Sequence, residues 1–327
     1  MNAALASVLA KYPLPFQPLS PPEPLGNAGG LSGSKLWRFR TGQGLFVARS
    51  WPVGVSVERI HQIHRWIAKA QRLGFVPIPV LAMDGKTVRE VGGICWDVCP
   101  WMPGAADLSA SPSLAKVKVA FSGLAAFHQA MGPLREEPFC PGLAARSREL
   151  KTLLSGELHS WRRAVLHHQA DPAQQLALRW LNLAELIAPR LEPEMAHLAS
   201  LPTPVQPVIR DVRPEHLLFT DDRLTGLVDF GAMEIDTVSA DLARLLSEWL
   251  GSDRFLRAEA LTAYVRVRCL DSVELRLIDA FERSAALLGG GRWVQWHFVE
   301  RIPFEDTSAV QRGLERGVER IERLITR

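Results

Sequence analysis

Two short apolar runs, each handing over to a carboxylate, constrain this chain more than any other feature. Val208-Ile209-Arg210 leads to Asp211 and continues as Val212-Arg213-Pro214-Glu215-His216-Leu217-Leu218-Phe219, and Leu227-Val228 leads to Asp229 in Gly226-Leu227-Val228-Asp229-Phe230-Gly231. The polar turn Thr220-Asp221-Asp222-Arg223 joins the two runs, so they read as short strands rather than as one helix. A carboxylate that ends a buried strand is costly unless it is paired or binds a cation. The chain must therefore place both acids where something offsets their charge.

A length of 327 residues suggests about two domains, each able to bury a core. An apolar share of 47% with 22% charged residues is that of an ordinary globular protein. The net charge of +3 is too small to argue for nucleic acid or an anionic membrane surface. Four cysteines make no disulfide framework, and Cys95 and Cys99 lie too close to an expected strand for a metal knuckle, which fits a reducing, cytoplasmic setting. The apolar start, Met1 to Ala10, has no basic residues and is too short to span a membrane. Asn2 to Tyr12 reads as a short surface helix.

Residues 13–28 are rich in proline and glycine and read as a loop into Gly29-Gly30. Lys35, Trp37 and Phe39 then alternate with Leu36, Arg38 and Arg40, the period of a half-buried strand, and Leu45 to Arg49 returns antiparallel after the turn Thr41 to Gly44. A helix is expected from about Ser56 to Leu73, then strands at Pro77 to Leu81 and Gly93 to Val98. Beyond Pro100 the pattern is mainly helical, with Ser111 as the cap of a helix reaching about Met131 and Asp171 as the cap of one that carries Trp180. Further helices are expected from Asp241 to Leu250 and between about 258 and 325. The composition changes near residue 100, which divides the chain into 1–99 and 100–327.

Arg210-Asp211, Arg213-Pro214, Leu217-Leu218-Phe219 and then Asp229-Phe230-Gly231 resemble the catalytic and metal loops of the protein-kinase-like phosphotransferases. In detail the chain is similar to the aminoglycoside phosphotransferase, choline kinase and homoserine kinase branch. Gly29-Gly30-Leu31-Ser32 looks like the phosphate loop of that branch, and Phe46 to Arg49 like the strand that ends in a phosphate-reaching cation. Trp101 to Gly104 resembles the segment after the hinge, Leu124 to His128 a helix of the large lobe, and Asp236 with Asp241-Leu242-Ala243 the segment after the metal loop. The resemblance implies an α+β, bilobal protein-kinase-like fold: a small antiparallel-sheet N-lobe that binds nucleotide, and a larger, mainly helical C-lobe. Three positions depart from the pattern: His216 stands where the family has a metal-binding Asn, Ile209 where it has His, and Ile235 where it has Gly.

The resemblance assigns roles that the residues themselves leave open. Gly29, Gly30 and Ser32 can cradle phosphates through backbone N–H groups, or can form a plain hairpin turn. Arg49 can present its fork to phosphate, with Glu58 on the following helix as its partner, or can end in solvent. Asp211 is implied as the base that takes the acceptor's proton and Arg213 as a cation that offsets transferred charge; the bland alternative is an ion pair worth under about 1 kcal/mol. Asp229 is implied as the Mg²⁺ ligand, and Asp241 as structural. His216 admits three readings: a nitrogen ligand that favours Mn²⁺ over Mg²⁺, a released metal position, or a chain that binds nucleotide without transferring phosphate. The remaining histidines form no ligand set, and the ten tryptophans read as packing.

The function implied is transfer of the ATP γ-phosphoryl group to a hydroxyl of a small molecule. Adenine is expected near residues 96–101 and the acceptor between about 140 and 200. No Ala-Pro-Glu segment follows Asp229-Phe230-Gly231, which favours a metabolite over a protein as acceptor. The competing reading is a catalytically silent, kinase-like nucleotide-binding protein.

Overall fold

The computed structural model describes residues 3–26, 33–106, 112–132, 135–168, 170–304, 306 and 308–325. In chain order it begins α1 (Ala3–Leu9), β1 (Glu23–Gly26), β2 (Lys35–Thr41), β3 (Gly44–Ser50), α2 (Val57–Ala68), β4 (Arg89–Val91), β5 (Ile94–Pro100), α3 (Leu114–Ala130) and β6 (Arg135–Glu137). It continues α4 (Pro141–Thr152), α5 (Leu158–Leu166), α6 (Gln174–Ala199), β7 (Thr203–Val208), β8 (Leu217–Thr220), β9 (Arg223–Leu227) and β10 (Glu234–Asp236). The last helices are α7 (Ser239–Leu245), α8 (Arg254–Val265), α9 (Ser272–Val294) and α10 (Ser308–Ile325). Two compact units emerge. One holds Met1–Pro133, Ile209–Glu234 and Glu248–Cys269, the other Leu134–Val208, Ile235–Ser247 and Leu270–Arg327. The division expected at 99/100 falls inside the first unit.

The first unit carries an antiparallel five-stranded sheet in the order β1-β2-β3-β5-β4. Strands β2 and β3 pair from Lys35↔Ser50 to Thr41↔Gly44 around the expected turn. Gly44 turns there at φ 122°, a backbone conformation that a side chain disfavours. The sheet's inward residues Phe39, Phe46, Ala48, Trp96 and Val98 pack with Leu5, Val8, Leu9 and Tyr12 in one cluster. The N-terminal helix is therefore a core element, not the surface helix its sequence suggests. Its apolar side chains supply the cover that one sheet face needs.

Two strand expectations change as well. Glu23–Gly26 forms β1 within the stretch read as loop, whereas Pro77 to Leu81 forms no strand. Pro77 and Pro79 lack the N–H that a ladder requires, and Val80 alone reaches across, donating to the Val98 carbonyl at 2.8 Å. Ser56 caps α2 by accepting from Arg59 N, and Ser113 caps α3 by accepting from Lys116 N. Ser111, the expected cap of α3, lies outside the described residues.

The same unit holds the hairpin of β8 and β9, paired from Leu217↔Leu227 to Thr220↔Arg223, so the turn at 220–223 closes as expected. Phe219 bridges back to Ala105. Helix α8 packs on α3 through the buried pair His128 Nδ1 and Tyr264 OH, 2.8 Å apart.

In the second unit β10, β7 and β6 form a small sheet in that order. Helices α9 and α10 cross where both are bare: a Cβ on Gly317 would meet the Gly290 Cα at 2.7 Å. Asp171 does not cap α6. It closes the turn before it, accepting from Ala173 N at 2.8 Å, and the helix starts at Gln174. Asp241 is buried in the first turn of α7. No described helix is long and apolar enough to cross a membrane.

Candidate active site

The candidate residues whose positions are described all fall in the first unit. Arg49 lies near the end of β3, and the antiparallel register sets it directly opposite Asp97 on β5. Its Nη2 donates to Asp97 Oδ2 at 2.8 Å, and its guanidinium lies over the Trp51 ring, 3.8 Å from the centroid. The same Oδ2 accepts from Trp51 Nε1 at 2.7 Å and lies 3.2 Å from His64 Nε2. Burial alone raises the Asp97 pKa, but Arg49 and His64 more than reverse it and hold the carboxyl below the usual range. Beside an ionised carboxylate, His64 Nε2 carries the hydrogen, and in the neutral ring Nδ1 accepts from Thr87 Oγ1 at 2.8 Å.

The carboxylate that holds Arg49 is thus Asp97 and not Glu58. Glu58 is exposed in the first turn of α2. One residue further along, Arg59 ties that helix to the loop after Asp229 instead, donating to the Met233 carbonyl and lying 3.7 Å from Glu234. The phosphate-loop candidates Gly29, Gly30 and Ser32 lie outside the described residues.

The two acidic loops are shaped by unusual backbone. Arg210, just before Asp211, has φ 65°, and Asp229 itself has φ 64°. Left-handed backbone at a non-glycine residue costs on the order of 1–3 kcal/mol and persists where the surroundings over-determine it. Those surroundings are present: Ile209 and Val212 are fully buried, and Phe230 is buried and stacks on Phe127, centroids 5.4 Å apart. Asp229 is anchored further by its own Oδ1, which accepts from Gly231 N at 3.4 Å.

A one-turn helix, Pro214–His216, joins the first loop to β8. His216 N donates to the Arg213 carbonyl, and Val228 N donates to the His216 carbonyl, both at 3.0 Å. Pairing of Leu217 with Leu227 therefore brings the residues before β8 alongside those after β9. The His216 ring reaches Asp229, with Nε2 3.7 Å from Oδ2. Asp211 pairs with Arg213, whose Nε donates to Oδ1 at 3.0 Å, and both side chains are partly exposed.

Asp229 and His216 offer one carboxylate and one imidazole nitrogen to a common point. That donor set fits a divalent cation tolerant of nitrogen, such as Mn²⁺, better than Mg²⁺. Among the described residues no group of three such side chains comes together around one point. His216 Nδ1 is buried without a hydrogen-bond partner among the described residues, so the ring lacks the second contact that commonly fixes a metal-binding tautomer.

Sequence reasoning missed Asp97, Trp51, His64 and Arg59. A signal for Asp97 existed: it is the sole acid in the apolar run Ile94 to Cys99. An acid inside a buried strand demands a cation, and Arg49 ends the neighbouring strand.

This arrangement, an antiparallel sheet carrying a paired cation and a hairpin flanked by two acidic loops, is that of a kinase-like phosphotransferase. Residues 25–278 match the phosphotransferase enzyme family (APH), and the chain belongs to it. A homoserine kinase of Azorhizobium caulinodans is 26% identical over 217 residues, 64% of this chain and 61% of its own length. The chain spans 26% and 61% of the lengths of two such relatives. Among solved structures, a microcompartment-associated aminopropanol kinase superposes with TM-score 0.67 at 15% identity, over 98% of this chain and 97% of its own. The amicoumacin kinase hAmiN, solved with AMP-PNP, Ca²⁺ and Ami, gives 0.64 at 15% identity, over 99% and 97%. At such identities the structures establish the fold alone.

Proposed function

We propose that this protein transfers the γ-phosphoryl group of ATP to a hydroxyl of a small molecule. The observation that carries the reading is the hairpin tie between the acidic loops: the Val228–His216 hydrogen bond and the approach of His216 to Asp229. Homoserine kinases among the relatives make small hydroxylated amino acids the first acceptors to test.

Each residue then has a task. Arg49 presents a permanent charge to phosphate oxygens, and Gly29, Gly30 and Ser32 offer backbone and hydroxyl hydrogens to the same group. Asp211 takes the proton of the acceptor hydroxyl and orients its oxygen for in-line attack. Arg213, hydrogen-bonded to Asp211, keeps that carboxylate in place and adds positive charge near the transferring group. Asp229 and His216 hold the divalent cation, which when bound neutralises phosphate charge. The absence of a membrane-crossing helix among the described residues is compatible with action in the cytoplasm.

One observation favours a second reading, nucleotide binding without transfer: His216 replaces an oxygen ligand, and its Nδ1 lacks a partner among the described residues. Turnover of ATP with Mg²⁺ or Mn²⁺ over hydroxyl-bearing metabolites decides between them, with Asp211→Asn as control. Turnover at least 100-fold above that variant is expected for the enzyme. A nucleotide-dependent rise in Tm, with no acceptor or metal giving turnover above Asp211→Asn, refutes transfer.

A further inference from the structure

In the resemblance a helix carboxylate is implied as the partner of Arg49, and Glu58 stands at that place without contacting it. The acid that meets Arg49 comes from the sheet. Asp97 is 1% exposed, and three side chains converge on its Oδ2: Arg49, Trp51 and His64. Arg49 is thereby held at one edge by Asp97 and on one face by the Trp51 ring. The other N–H groups of its guanidinium make no hydrogen bond to any described residue. A guanidinium fixed on one edge and one face, with its remaining donors unspent, is a preformed receptor for an oxyanion.

We propose that Asp97 is the positioning residue that sets Arg49 for the nucleotide phosphates, with Trp51 and His64 fixing the carboxylate in turn. The assignment rests on the nucleotide reading above. It carries a mechanical consequence. When a helix supplies the carboxylate, displacing that helix unpairs the cation, and some kinases are controlled in this way. Here β3–β5 pairing sets Arg49 against Asp97, so a shift of α2 breaks only the His64 contact and leaves the pair intact.

The experiment compares ATP and adenosine affinity by calorimetry in the full chain without acceptor. The ratio isolates the phosphate contribution, which a merely structural role would not move. Asp97→Asn preserves shape and is expected to lower the ATP-to-adenosine ratio on the order of tenfold, with adenosine affinity unchanged. Trp51→Phe keeps a ring under Arg49 but deletes the donor to Asp97, and is expected to give a smaller loss in the same direction. If Asp97→Asn fails to fold, Arg49→Met alone is compared with Arg49→Met plus Asp97→Asn, where the ratio should be the same. A folded Asp97→Asn with a wild-type ratio overturns the proposal, as does a double variant whose ratio falls well below Arg49→Met. Loss of the ratio in Glu58→Gln but not in Asp97→Asn overturns it too, because the helix carboxylate would then hold the arginine. Wild-type protein that binds ATP no better than adenosine refutes the nucleotide reading itself, and the proposal with it.

Discussion

Arg49→Met keeps the length and apolar stem of the side chain and deletes the charge facing Asp97. The carboxylate is left 1% exposed, with Trp51 and His64 still on Oδ2. Breaking a buried ion pair from one side costs about 3–5 kcal/mol. Arg49 is 18% exposed and Asp97 keeps two partners, so the low end applies, about 3 kcal/mol. At roughly 2 °C per kcal/mol for a chain of this size, Tm should fall by about 6 °C at neutral pH.

The pH dependence gives the sharper test. In the wild type the folded pKa of Asp97 lies below its unfolded value, a stabilisation present at neutral pH and lost as pH falls through the acid range. Without Arg49, burial is no longer outweighed by its largest opponent, so the folded pKa moves up. Where it passes the unfolded value the sign inverts, and stability is lost as pH rises toward it. The Tm gap between wild type and variant should therefore be widest near neutral pH and narrow on acidification. Tyr12 and Cys99 also feel Asp97, but burial pushes both far up, out of that window. Thermal unfolding followed by circular dichroism from about pH 3 to 7, which includes the acid range where the gap narrows, reads it, and adding Asp97→Asn should recover most of it. A gap under about 1 kcal/mol, or one constant with pH, refutes the argument that Arg49 and Asp97 form a buried pair.

His216→Asn exchanges the imidazole for an amide oxygen and should shift metal preference toward Mg²⁺; unchanged relative turnover with Mg²⁺ and Mn²⁺ counts against ligation by His216. Asp229→Asn suits left-handed backbone and alters a 55% exposed side chain, so Tm should move by no more than the equivalent of about 0.5 kcal/mol while turnover falls at least 100-fold; a large Tm loss makes Asp229 structural. Gly142→Ala places a Cβ 2.0 Å from Asp236 Oδ2, and urea unfolding should show a loss of about 1–3 kcal/mol, whereas a neutral result means the α4 terminus yields freely.

Strands β2 and β3 and the β8–β9 hairpin were legible because their periods and turn residues are local: Lys35 to Phe39 alternates, and Thr41 to Gly44 and Thr220 to Arg223 are turns by composition. Helix α1 was misplaced because seven residues, apolar but for Ser7, do not reveal whether a sheet face awaits them. Pro77 to Leu81 has the apolar content of a strand, but its prolines spoil the ladder. In the site, Asp211, Asp229 and Arg49 stood out as charges at the ends of apolar runs. Glu58 stands on the helix that follows Arg49 in sequence, whereas only the β3–β5 register puts Asp97, 48 positions away, directly opposite.

That register also explains why the two kinds of acid in the site behave differently. Asp97 is sealed in, and its charge is sustained by fixed donors, so it serves another side chain. Asp211 and Asp229 remain 35% and 55% exposed, with left-handed backbone just before the first and at the second. Glycine or asparagine would take the φ of 64° at residue 229 at lower cost, so stability does not select aspartate there. The packing of Ile209, Val212, Leu227 and Phe230 overcomes that cost and keeps the carboxylates where an incoming group can meet them. A site built in this way is ready before its ligand arrives, because the buried flanks and not the ligand fix the geometry.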